Sequence, residues 1–185
     1  MRLSSFCLAA VFACGFSALP VVAQEPTAPA AVAAPAESSK LNLEQRRIVK
    51  DFQTTKLPEL AKNLQAAAGF DVEITVDWDS VCEPDYAHMY IEAWTNQFFI
   101  PMTEALKTIT KDEMGKAALK GKLKKIHFCN LSDNSNKEKA ITFENGLLKY
   151  DHKPATNLPT YADGKGDSVF NEAVEAITKL LEKNL

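Results

Sequence analysis

The stretch Val72-Glu73-Ile74-Thr75-Val76-Asp77-Trp78-Asp79 alternates without a break between apolar even positions and polar odd ones. Successive side chains of an extended chain point to opposite sides, so this run predicts a strand with one face on a core and the other in water. A strand buried on both faces would read as a continuous apolar run. The alternation therefore argues against a doubly wound sheet and for helices on one side only.

A second signal lies downstream. Ile141-Thr142-Phe143-Glu144-Asn145-Gly146-Leu147-Leu148-Lys149-Tyr150 carries an Asn-Gly pair between two strand-like runs, which predicts a hairpin with a type I′ turn. In that register Phe143 opposes Leu148 and Ile141 opposes Tyr150, so these four share one face, while Thr142 and Lys149 share the other. Lys125 to Cys129 supplies a fourth strand, with His127 turned away from the core.

Helices fill the remainder. Asn42 and Gln45 form a capping box ahead of Ile48 and Phe52. Pro58 opens a further helical piece that Gly69 ends. A long helix is expected from Pro84-Asp85 through Ile109, bent or broken around Pro101, with apolar residues nearly all round. Thr110 and Glu113 suit a shorter helix, and Asp167 or Ser168 caps the last one, whose inner stripe includes Phe170, Ile177 and Leu181. The expected architecture is an α+β two-layer sandwich: a four-stranded, largely antiparallel or mixed sheet with helices packed on one face. The runs 130–136 and 154–166 are expected to be loops, and His152 to be exposed.

Outside this domain, placed at residues 41–185, the chain reads differently. Met1-Arg2, an apolar run to Leu19 and small residues up to Ala23 have the form of a cleavable secretory signal over residues 1–23. Residues 24–40 are rich in Ala and Pro, a spacer with too little apolar surface to fold. The expected location is the bacterial periplasm or the exterior. A lipoprotein anchored at Cys14 is the lesser alternative, weakened by the bulky Phe12 beside the cut. No other stretch is apolar enough to span a bilayer.

Loss of Arg2 with the leader leaves 20 basic against 24 acidic side chains. Such a surface argues against nucleic acid as a partner, which calls for clustered basic charge. Cys82 and Cys129 also remain, and an even count in an oxidising compartment points to a disulfide. Two buried thiols are the competing reading.

No glycine-rich phosphate loop, nucleophile elbow or metal-helix motif is present, and no cofactor is implied. Chemistry could still gather where the first strand meets the long helix. Asp77, Asp79, His88 and Glu92 are candidate metal ligands; His88, His127 and Asp77 are candidate catalytic groups, with His127 expected near Thr75 or Asp77 across the sheet. Ordinary capping and surface pairing account for the same residues. Trp94 and Phe99 are candidate binding residues if their stripe is exposed, as are Lys120 and Lys124 for an anionic partner.

These features favour an exported, non-catalytic binding or interaction domain for an envelope protein or small ligand. A small periplasmic hydrolase or metal-dependent enzyme built on Asp77, Asp79, His88 and Glu92 is the main alternative. A homodimeric envelope stress or assembly factor is the second.

Overall fold

The computed structural model describes residues 40–185. The signal, the spacer up to Ser39 and the Cys14 anchor lie outside the described residues.

Helix α1 (Leu43–Thr55) starts at Asn42, whose side chain accepts from Gln45 N–H while the Gln45 side chain accepts from Asn42 N–H. The expected capping box is therefore present. Helix α2 (Leu57–Ala68) has Pro58 in its first turn and ends at Gly69, with φ +81°. Strand β1 (Glu73–Val76) is shorter than the alternation suggested. Asp77 leaves the extended conformation and caps a single turn, α3 (Trp78–Val81), by accepting from Ser80 N–H at 3.3 Å. Trp78 and Asp79 are thus helical, and Asp79 does not share a strand face with Asp77.

The long helical run is neither continuous nor uniform: it kinks at Tyr86, where φ is −117° and ψ 19°. A 3-10 segment (Pro84–Met89) leads into α4 (Tyr90–Ala93), a π segment (Trp94–Phe99) and α5 (Ile100–Ile109). Pro101 has no N–H, which leaves an unmet acceptor one turn earlier in an ideal helix. The chain widens just ahead of the proline, where Ile100 N–H donates to Thr95 O. The wider turn places the consecutive residues Gln97, Phe98 and Phe99 all inside. Helix α6 (Glu113–Lys122) is capped by Asp112 rather than Thr110.

Strand β2 (Lys125–Cys129) follows, then α7 (Lys137–Ala140), β3 (Ile141–Glu144) and β4 (Leu147–Asp151). Residues 130–136 form the expected loop, and one helical turn capped by Asn136 follows it before β3. The loop before the last helix contains a small ribbon, β5 (Tyr161–Ala162) with β6 (Lys165–Gly166), turned at Asp163-Gly164 where both φ values are positive. Helix α8 (Ser168–Asn184) closes the domain, capped by Asp167.

The result is an α+β fold with a mixed four-stranded sheet in the order β1-β2-β4-β3 and helices packed against it. β1, β2 and β4 run parallel; β3 is antiparallel to β4 in the expected register, Phe143 opposite Leu148 and Ile141 opposite Tyr150. Ile74, Ile126 and Leu148 form one buried row across the sheet, and Phe128, Tyr150 and Ile141 form most of the next. Phe98 and Phe99 meet Phe128 at 5.4 and 4.8 Å between ring centroids. Trp94 stacks on Tyr90 at 4.9 Å and meets Phe52 and Trp78 edge-on. Its indole N–H donates to Val81 O. Aromatic pairs in these arrangements stabilise by about 0.5–1.5 kcal/mol beyond their area.

The expected disulfide is absent. Cys82 and Cys129 are both free and buried, with no sulfur pair at bonding distance. Cys82 ends the α3 turn beside Asp77 and Asp79, whereas Cys129 ends β2 beside Asp151. Each buried thiol packs as a small apolar group.

Candidate functional site

The odd-numbered side of β1, β2 and β4 carries three rows of side chains. Glu73, Lys125, Leu147 and Glu144 form the first; Thr75, His127, Lys149 and Thr142 the second; Cys129 and Asp151 the third. Side chains in the first two rows are partly or fully exposed, and those in the third are buried. The backbone after β2 folds over that third row. Leu131 N–H and Ser132 N–H both donate to Asp151 Oδ1, at 2.7 and 3.1 Å, and Lys149 Nζ approaches Oδ2 at 3.2 Å. Burial by itself would raise the Asp151 carboxyl, but these donors outweigh it and hold it below its ordinary value.

His127 lies in the middle row, where the alternation put it, with Nδ1 2.8 Å from the Thr75 hydroxyl. Partial burial, then Lys125 and Lys149, depress its pKa below 6.5, against a smaller upward pull from Asp77. The imidazole is therefore neutral near pH 7. A neutral imidazole on a threonine hydroxyl is the first half of a nucleophile–base pair.

A cleft of about 450 Å³ adjoins this row, lined by Glu73, Lys124, Lys125, His127, Asn145, Gly146 and Leu147. Lys125 pairs with Glu73 at 2.8 Å. Lys124 and Lys120 are exposed and make no ion pair within 4.0 Å among the described residues. Gly146, with φ +86°, holds the turn against the α6–β2 connection; its carbonyl accepts from Lys124 N–H and Lys125 N–H.

The other candidates fall elsewhere. Asp77 is a helix cap, and Asp79 Oδ1 is buried without a hydrogen-bond partner. His88 lies exposed on the 3-10 segment and Glu92 exposed on α4, with no ion pair between them. Among the described residues no group of three or more His, Cys, Asp or Glu side chains could hold a metal ion. Trp94 and Phe99 are each 1% exposed, so they form core rather than surface. Burial, then neighbouring carboxylates, push both thiols up to about 12, which keeps them protonated near neutrality.

A buried polar cluster escaped the sequence reading. His152, expected at the surface, is 0% exposed, as are Gln97 and Tyr150. Gln97 Nε2 lies 2.9 Å from His152 Nδ1 and donates to Tyr150 Oη at 3.3 Å. Beside them is Lys137, 2% exposed, with a buried Nζ that has no hydrogen-bond partner. Parity was the available signal for His152, since it continues the inward positions Leu148 and Tyr150. No comparable signal marked Lys137.

No protein-family model, curated protein or solved structure matches this chain. Among the described residues no helix is long and apolar enough to cross a membrane.

Proposed function

We propose that the protein is an exported, non-catalytic binding domain, a two-layer sandwich whose helix-free sheet face docks an acidic polypeptide segment of an envelope partner. One observation carries this reading: Lys124 stands exposed in the wall of the cleft that holds His127, and neither it nor the exposed Lys120 of α6 makes an ion pair among the described residues. The chain as a whole is net negative, at −3. A local excess of positive charge on an acidic protein draws acidic ligands and repels other copies of itself.

The core supports the same reading. Both thiols are protonated near neutrality, and the phenols of Tyr90 and Tyr150 are pushed up by burial. These groups serve packing rather than chemistry. The Thr75–His127 pair is the feature that favours a hydrolase instead.

The test is titration of the mature protein with poly-L-glutamate at low ionic strength. Binding should weaken with salt, and Lys120→Glu and Lys124→Glu should each weaken it by roughly two- to fivefold, the range for exposed charge contacts. Salt-independent binding, or variants that bind like the parent, would remove the reading. Ester hydrolysis abolished by His127→Ala would establish the rival.

A further inference from the structure

We propose that His152 is an acid-operated latch: protonation of its imidazole expels the Lys137 side chain and releases α7 from α8. His152 ties three segments together. Nδ1 lies 2.7 Å from Lys153 O, Nε2 lies 3.2 Å from Ser135 O, and Gln97 Nε2 approaches both ring nitrogens, at 2.9 and 3.3 Å. A neutral imidazole donates one N–H to a carbonyl and accepts from the Gln97 amide at its other nitrogen. A protonated ring has no lone pair for that amide.

The neighbouring charge makes this consequential. Lys137 is buried on α7, close enough for its charge to act on the His152 ring, and its ammonium has no hydrogen-bond partner. Carboxylates at the start of α8, Glu172 and Asp167, attract it through space. A second cation appearing on His152 would face it in a buried site, where like charges repel more strongly than in water. Nothing bonds Nζ in place, and α7 is a single turn held by Asn136: its carbonyl accepts from Ala140 N–H and its side chain from Lys139 N–H. Expulsion of Lys137 is therefore the easiest relief.

The remaining charged and titratable groups around the ring are Asp151 and Tyr150 on β4, Cys129 at the end of β2, and Lys153, which is paired with Asp133 and Glu83. Burial, followed by the Lys137 charge, lowers the His152 pKa to about 4, against the upward pull of the two carbonyls and Asp151. The folded value lies below the ordinary 6.5. The neutral ring's contribution to stability is thus complete above that value and is lost as the pH falls towards about 4.

Amide hydrogen exchange read residue by residue on the full mature chain tests the latch. Between about pH 6.5 and about pH 3.5, protection of Lys139, Ala140 and Lys153 amides should fall by about tenfold or more after correction for intrinsic rates, while Ile177 and Leu181 stay protected. Lys137→Met should abolish the selective loss, because no second cation remains. Three results would overturn the proposal: a parent that keeps protection in acid, a Lys137→Met protein that loses it equally, or a Glu172→Gln protein already released near neutrality. The last would assign the effect to the carboxylate rather than the imidazole.

Discussion

Replacing Lys137 with methionine should make the protein more stable near neutral pH, although the side chain is buried and charged. The parent lysine is 2% exposed, its buried ammonium has no hydrogen-bond partner, and burial lowers its pKa from 10.5 to about 8. Each tenfold change in a protonation equilibrium corresponds to about 1.4 kcal/mol. The penalty for keeping the proton in the folded state is therefore at most about 3.5 kcal/mol. Methionine keeps the reach of the aliphatic stem and loses the attraction to Glu172 and Asp167, so the expected gain is about 1–2 kcal/mol. Urea denaturation at pH 7 and at higher pH reads it. Because the folded pKa is the lower one, parent stability rises as the pH climbs from about 8 towards 10.5, and the advantage of methionine should shrink over that window. Destabilisation by more than about 1 kcal/mol at pH 7, or an advantage unchanged across that range, would refute the reasoning.

Cys82 and Cys129 should resist a thiol reagent in the native protein and react once it is unfolded in urea; rapid native labelling of either would contradict their burial. Asp151→Asn should cost about 1–2 kcal/mol at pH 7, because the carboxylate bonded to two amides and Lys149 is lost. Asp151 has a depressed folded pKa, so its contribution exists above the ordinary 3.8 and disappears as acid protonates it; the cost should therefore shrink in urea melts at about pH 3. Gly146→Ala should destabilise by about 1–2 kcal/mol by thermal melting, since φ is +86° and a Cβ would lie 2.9 Å from Lys122 O.

Local chemistry explains which parts of the fold the sequence revealed. The hairpin register was legible because the Asn-Gly turn and the facing of Ile141, Phe143, Leu148 and Tyr150 impose the same pairing. His127 was placed by parity, beside Thr75. The end of β1 was misread because Trp78 continues the alternation, while Asp77 can bond the Ser80 amide and so start a turn that competes with the strand. The mixed sheet hid its parallel pairs, since strand direction depends on what the intervening helices cross. The π segment was illegible for a related reason. Pro101 marked a disturbance, yet the adjustment falls on the turn before it and carries a glutamine inward to meet His152. Lys137 sits just after the loop 130–136, beside Glu138 and Lys139, a composition that reads as solvated. The packing of α7 against α8, β3 and β4 buries it.

Two histidines mark the division on which the proposed docking face and the latch depend: His127 partly exposed on the sheet and His152 sealed in the core. Brief treatment of the native protein with diethylpyrocarbonate near pH 7, followed by peptide mass spectrometry, addresses that division directly. Adducts are expected on His127 and on the exposed His88, with His152 modified only after unfolding. A native protein labelled at His152, or protected at His127, would contradict it.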